Sequence, residues 1–174
     1  MSTDSSRAAR DVVGALVALS AKVAAGAAKP ERVLKLWEGL GYYSRVRNLQ
    51  AAAKQIVTEH NGSFPNDPEA IRALPGVGRY TAGAIGSIAF GRAEPIVDGN
   101  VTRILTRIFG ICENTKAKAT QLILWSLAET MVTAAADCSA LNQSLMELGA
   151  TVCHPRQPDC ATCPVRRSCV ARRE

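Results

Sequence analysis

The sequence predicts an all-α fold arranged as two helical lobes. Its 174 residues are 47% hydrophobic but only 5% aromatic, and apolar side chains recur at helical spacing along most of the chain. Alternating strand patterns and hairpin turn signals do not punctuate the sequence. A chain of this length can form one domain, or two small ones that share a cleft.

The helices are predicted from their apolar stripes, their caps and the breaks between them. A tail at 1–10 precedes the first helix, and Ser44 is predicted to cap the third one. Asn61 and Gly62 are predicted to end that third helix. In chain order the predicted helices cover residues 11–25, 31–38, 45–60, 68–73, 81–90, 100–109, 116–132 and 139–152.

Charge and hydropathy bear on partner and compartment. The net charge of +6 is typical of a protein that binds a polyanion. Residues 12–19 are apolar and follow two arginines, but Asp11 adjoins them and their stripe is helical. An amphipathic or buried helix is therefore the preferred interpretation over a signal peptide. No run is long enough to span a membrane, so we expect a cytoplasmic protein.

The stretch LPGVGRYTAGAIGSIAFGRAEPIVDGN, from Leu74 to Asn100, is the one around which the chain is organised. Pro75 cannot continue a helix, and Gly76 and Gly78 allow backbone angles and close approaches that other residues do not. The helix that opens after Gly78 presents free N–H groups and a positive dipole end, which suit a phosphate. A tight helix–helix turn is the simpler interpretation of these glycines taken alone.

A second informative stretch is GLGYYSR at residues 39–45. Two tyrosines beside glycines ordinarily pack into a core with their hydroxyls at the surface. Alternatively, an aromatic ring on a glycine-flanked loop inserts between bases while Arg45 and Arg47 bind phosphates. Arg103 and Arg107, which lie off the stripe of their helix, are also predicted to face a polyanion.

Four of the six cysteines follow the spacing C-x6-C-x2-C-x5-C, at Cys153, Cys160, Cys163 and Cys169. Thiolates serve both zinc and iron–sulfur clusters, so the spacing alone leaves the two metals open. Disulfides are not expected, because a large helical core does not need them. Five arginines surround this loop and are predicted to meet phosphates: Arg156, Arg166, Arg167, Arg172 and Arg173.

Together these motifs resemble the helix-hairpin-helix DNA glycosylases, and in particular the MutY-type adenine DNA glycosylases, over residues 31–172. The resemblance rests on LWEGLGYYSR, LPGVGRYTAGAI, PIVDGNV and the four cysteines. It implies an endonuclease III-like fold with a [4Fe–4S] cluster on those cysteines. It also implies three parts: a divergent segment at 1–29, a helical domain at 30–111 with the hairpin at about 70–90, and a helical iron–sulfur domain at 112–174.

The resemblance also implies roles for single residues. Asp98 would stabilise the oxocarbenium-like sugar of glycosidic cleavage, although it could equally be a plain N-cap. Asn100 would position the sugar and the acidic groups. Tyr80 stands where the endonuclease III branch has a lysine, and a phenol cannot form a Schiff base, so a monofunctional glycosylase is expected. The residues expected to contact DNA are Tyr42, as a wedge beside the damaged guanine, and Arg45, Gly76, Val77, Gly78 and Arg79.

The function predicted in this way is base excision repair of adenine opposite guanine or 8-oxoguanine, by a monomer associated with the nucleoid. Two alternatives remain: a thymine glycosylase for G·T mismatches, and a catalytically impaired DNA-binding protein. The second arises because the family's Glu-Val-Met-Leu-Gln-Gln-Thr-like motif, whose glutamate protonates adenine, does not occur in these 174 residues. The family's C-terminal Nudix-like domain is likewise not part of this sequence. Because the general-acid glutamate is lost, the chain is expected to bind duplex DNA but to excise adenine slowly or undetectably.

Overall fold

The computed structural model describes residues 42–173, together with Glu31, Leu34, Lys35 and Glu38. Every secondary-structure element within this part is helical, so the predicted all-α class is confirmed. The elements are α1 (Tyr43–Glu59), α2 (Pro68–Ala73), α3 (Arg79–Ala84), a π-helical segment (Ile85–Ala89), α4 (Gly99–Phe109), α5 (Lys118–Ala134), α6 (Cys138–Thr151) and a 3₁₀ turn (Val170–Arg172).

The predicted helix at 11–25 lies outside the described residues, as does most of the one at 31–38. Within the latter, Glu31, Leu34 and Lys35 are helical and Glu38 lies in a turn. None of the helices in the described ranges is long and apolar enough to cross a membrane.

The start of α1 differs from the prediction. Helix α1 begins at Tyr43 and follows Tyr42, which adopts the left-handed conformation (φ 46°, ψ 50°) and gives no side-chain cap. Ser44 lies inside the first turn, so its predicted capping role is wrong. The left-handed residue makes the turn instead, and its carbonyl accepts the N–H of Arg45 at 2.8 Å. By contrast, Asp67 caps α2 as a short polar residue should, accepting the N–H of Ala70 at 2.9 Å.

The helix predicted at 81–90 starts two residues earlier and changes character midway. Helix α3 runs from Arg79 to Ala84 and continues as the π-helical segment. Inside this segment the buried Ser87 donates its hydroxyl to the carbonyl of Gly83 at 2.8 Å. A π segment adds one residue to a turn, and an unbroken apolar run gives no periodic signal of that extra residue.

The main core lies around α4, which packs against α5 and α6. Its buried members are Ile96, Val97, Val101, Ile104, Leu105, Leu124, Ala128, Leu145 and Met146. Two smaller clusters centre on Ile71 with Ile85, and on Ile56 with Leu74. The main core includes residues on both sides of position 111, and the division into domains there stays a prediction. Because the start of α4 is packed on two sides, Asp98 is held at a fixed place.

Candidate active site and nucleic-acid interface

Asp98 immediately precedes α4 and is half-buried. Its Oδ1 accepts the backbone N–H of Val101 at 2.7 Å, and its Oδ2 accepts a longer hydrogen bond, 3.3 Å, from Nδ2 of Asn100. The carboxylate is therefore an N-cap, as its simpler interpretation predicts. Among the residues that the structure describes, Oδ2 accepts only from the Asn100 amide, so it keeps lone pairs for another group.

Tyr80 is brought close to this carboxylate from the first turn of α3. Its side chain is 43% exposed. Burial raises the pKa of Tyr80 above its ordinary value, and the negative charge of Asp98 raises it further. Since the charge of Asp98 acts on the phenol, the structure brings together two of the three predicted catalytic residues, and the phenol stays protonated at neutral pH.

Asn100, the third predicted residue, is fixed by a hydrogen-bond chain. Its Oδ1 accepts from Nη2 of Arg103 at 2.8 Å, which orients its Nδ2 toward Asp98. The same Nη2 donates to the carbonyl of Gly149 at 2.7 Å, and Nε of Arg103 donates to the carbonyl of Cys153 at 2.8 Å. Asp98 is thus connected through two side chains to the end of α6 and the start of the cysteine loop.

Arg107 makes the matching contacts one turn further along α4. Its guanidinium donates to the carbonyls of His154 and Pro155, each at 2.8 Å, and to Sγ of Cys153 at 3.1 Å. The guanidiniums of Arg103 and Arg107 are thus bound to the chain's own carbonyls, and their predicted contact with a polyanion stays a prediction. Carbonyls at and beyond the end of α6 have no donors within the helix, and they attract these two cations.

The turn between α2 and α3 forms the predicted hairpin. Gly76 has a left-handed φ of 78°, and a Cβ on it would lie 2.6 Å from Cβ of Asn48 on α1. Gly76 is thus required both by its backbone angle and by packing. Gly78 has an ordinary φ of −85°, and among the described residues nothing lies within 4 Å of a Cβ built on it. Its predicted contact with a phosphate stays a prediction.

Two other residues of the predicted interface occupy different surroundings. Val77 is half-buried and packs against both smaller core clusters. The guanidinium carbon of Arg79 lies 3.9 Å from the ring centroid of Trp125, so this cation rests on α5. A cavity of about 470 Å³ adjoins this pair, between α2, α3 and α5, and Asp98 and Tyr80 do not line it. No local sequence pattern predicts the Arg79–Trp125 contact.

Tyr42 stands out on the surface. Its side chain is 75% exposed, and the guanidinium carbon of Arg45 lies 5.0 Å from its ring centroid. This exposure excludes the core-packing interpretation. A left-handed bulky residue costs free energy, and Tyr42 maintains that conformation while exposing its ring. The wedge role stays a prediction.

The four clustered cysteines line a single cavity of about 110 Å³, together with Arg107 and Arg166. All four are half-buried free thiols. Within residues 42–173, no three Cys, His, Asp or Glu side chains already converge as metal ligands. The donor set nevertheless fits a thiolate-bound metal centre, because the four sulfurs share one cavity and cations adjoin them. Cys112 and Cys138 do not line this cavity.

Curated relatives match most of the chain. It is 50% identical over 143 residues to the adenine DNA glycosylase of Homo sapiens, and the matched region covers 82% of this chain and 26% of that protein. It is 41% identical over 146 residues to the adenine DNA glycosylase of Buchnera aphidicola from Acyrthosiphon pisum, with 84% of this chain and 41% of that protein covered. The chain thus spans about a quarter to two fifths of the length of these relatives.

Solved structures give the same fold. A thermostable thymine-DNA glycosylase superposes with a TM-score of 0.74 at 32% identity, covering 84% of this chain and 67% of that one. An endonuclease III in a non-covalent complex with DNA superposes with a TM-score of 0.67 at 26% identity, covering 84% and 66%. The family model for HhH-GPD superfamily base excision DNA repair proteins matches residues 7–130. With this match, and with an endonuclease III-like all-helical fold, the chain belongs to the HhH-GPD superfamily of base excision DNA repair proteins.

Proposed function

We propose that the protein is an adenine DNA glycosylase, which hydrolyses the N-glycosidic bond of adenine mispaired with guanine or 8-oxoguanine. The observation that carries the proposal is the carboxylate of Asp98, oriented by Asn100 beside a neutral Tyr80. Similarity to adenine DNA glycosylases at 50% and 41% identity supports the choice of base. This activity would place the protein with the chromosomal DNA.

The proposed chemistry follows from that geometry. The target nucleotide leaves the base stack, and cleavage of its glycosidic bond develops positive charge on the sugar. Oδ1 of Asp98 is tied to Val101, so the carboxylate cannot rotate away from the place where that charge develops. A preoriented charge of this kind stabilises a transition state without reorganising. Tyr80 offers no amine for a Schiff base, so strand cleavage by that route is not expected.

DNA is proposed to lie across the surface shared by the hairpin and the start of α1. The contact between Gly76 and Asn48 fixes these two elements against each other. Tyr42 and Arg45 project from one of them as an exposed aromatic–cation pair, a combination that suits insertion between bases and contact with phosphate. The open space beside Gly78 leaves room for a backbone phosphate.

A [4Fe–4S] cluster is proposed to be held by Cys153, Cys160, Cys163 and Cys169, because these thiols line one cavity. When bound, such a cluster would cross-link the segment that follows α6, which has few buried side chains of its own. The guanidinium of Arg107 would orient and partly neutralise the Cys153 thiolate.

A thymine glycosylase for G·T mismatches is the second candidate, favoured by the 32% identity to a thymine-DNA glycosylase of the same fold. Single-turnover rates of base release decide between the two candidates. They are measured on three duplexes of otherwise identical sequence that carry A·8-oxoguanine, A·G or T·G. We expect slow adenine release, abolished by Asp98→Asn. Release of thymine alone would favour the second candidate. Tight duplex binding without release of either base would favour a DNA-binding role without catalysis.

A further inference from the structure

The stretch from Pro95 to Asn100, which includes Asp98, runs between two helices and closely approaches a glycine on each of them. On one side, a Cβ built on Gly83 of α3 would lie 2.1 Å from the carbonyl oxygen of Pro95. On the other side, a Cβ built on Gly149 of α6 would lie 2.6 Å from Cβ and 3.1 Å from Cα of Asn100. At both glycines the added Cβ would meet atoms on or next to the main chain, which cannot rotate away.

Helical conformation does not itself require glycine at these two positions. Neither glycine has a positive φ, and glycine inside a helix costs about 1 kcal/mol relative to alanine. Two other glycines show the contrast. In the part of the chain that the structure describes, a Cβ on Gly99, next to Asp98, would meet nothing within 4 Å, and the nearest atoms to one on Gly86 belong to the flexible side chain of Glu94. Close approach to Pro95 and Asn100 is therefore the feature that distinguishes Gly83 and Gly149 from Gly86 and Gly99.

We propose that Gly83 and Gly149 are positioning residues, which place the carboxylate of Asp98 by setting how closely Pro95 and Asn100 approach α3 and α6. This inference rests on the proposed catalytic role of Asp98. A methyl group at Gly83 would push Pro95 away from α3, three residues before Asp98. A methyl group at Gly149 would displace Asn100, whose amide donates to Oδ2 of Asp98.

The test uses binding and does not depend on turnover. Affinities of the 174-residue protein are measured for two duplexes, each of which carries an abasic-site analogue opposite 8-oxoguanine. One contains a pyrrolidine abasic analogue, which is cationic at neutral pH, and the other a neutral tetrahydrofuran analogue. A hydrogen-bonded carboxylate should favour the cationic duplex by about tenfold to a hundredfold. We expect Gly83→Ala and Gly149→Ala to lose most of this preference while still binding the neutral duplex, and Gly99→Ala, the matched control, to retain it.

A second measurement separates displacement of Asp98 from general damage. The negative charge of Asp98 raises the pKa of Tyr80, so displacing the carboxylate should lower the Tyr80 pKa, which NMR of ring-labelled tyrosine reports and Tyr80→Phe assigns. Circular dichroism checks folding in every variant. If both alanine variants unfold, or fold and keep both the preference and the pKa, the proposal is overturned.

Asp98→Asn distinguishes this inference from the function on which it rests. A parental preference that Asp98→Asn abolishes but Gly83→Ala and Gly149→Ala leave intact would overturn the positioning role alone. A preference that survives Asp98→Asn would overturn the role of Asp98, and the inference with it.

Discussion

Replacing Asp98 by asparagine separates its capping role from its proposed catalytic role. Asparagine caps a helix about as well as aspartate, and its Oδ1 can still accept the Val101 N–H that Asp98 binds at 2.7 Å. The change removes the negative charge at the start of α4, worth about 0.3–1 kcal/mol, and the 3.3 Å hydrogen bond from Asn100. We therefore expect the free energy of unfolding to fall by about 1 kcal/mol or less.

The catalytic effect should be much larger. Removing one preoriented group that stabilises developing charge costs about 10²–10³-fold in rate, so single-turnover release of adenine should fall by at least that factor. The pKa of Tyr80 should also fall, because its phenolate would no longer meet the charge of Asp98. Burial, the larger cause of the raised pKa, remains in this variant.

The chain supplies a matched control in Asp137. It caps α6 as Asp98 caps α4, accepting the N–H of Ala140 at 2.9 Å, but it is exposed at the surface. Asp137→Asn should lose a similar amount of stability and leave both base release and the Tyr80 pKa unchanged. Equal rates for Asp98→Asn and the parent chain, or equal losses in the two variants, would refute a catalytic role for Asp98.

Three further predictions concern DNA and metal. Tyr42→Gly should raise the unfolding temperature, because glycine adopts the left-handed conformation without strain. The same variant should weaken duplex binding by about 1–3 kcal/mol, because the stacking of the ring is lost. Tighter or unchanged binding would exclude the wedge. Arg45→Met should reduce the slope of log K for duplex binding against log salt concentration by about 0.9, whereas Arg103→Met should leave that slope unchanged. Fluorescence titration at several salt concentrations measures both slopes. Equal slopes for the two variants would contradict the inward placement of Arg103. Protein purified without oxygen should contain iron and absorb broadly in the visible range, with both lost in Cys163→Ala; zinc without iron in the parent protein would contradict the cluster.

Local sequence predicted the elements best where a chemical stop or start marks them. Pro68 and Asp67 fix the start of α2, and the left-handed Asn61 and Gly62 follow α1 as their residue types predict. The start of α1 was missed, because a left-handed Tyr42 contradicts the preference of its residue type. The π-helical segment was missed for the different reason that an apolar run has no period to break.

For the candidate site, the sequence predicted the residues that we propose to be catalytic, but not all of the contacts that hold them. Asp98, Asn100 and Tyr80 were found through family motifs, and the structure places Tyr80 near Asp98. Asp98 and Asn100 are held by their near neighbours Val101 and Arg103. Arg103 is itself held by the carbonyls of Gly149 and Cys153, which lie 46 and 50 positions away. No local pattern encodes a contact at that separation. The same holds for the glycines, whose requirement is evident only from what lies 2–3 Å from a missing Cβ.

The arginines show why net charge alone misjudges an interface. Arg79 rests on an aromatic ring, and Arg103 and Arg107 bind carbonyls at and beyond the end of α6. These three cations contribute to the net charge of +6, but they act first on the protein itself. Their positions join α4 to the cysteine loop and α3 to α5, the helices around Asp98. Three of the 21 Lys and Arg side chains thus stabilise the protein itself, and contact with DNA is proposed to depend on exposed cations such as Arg45.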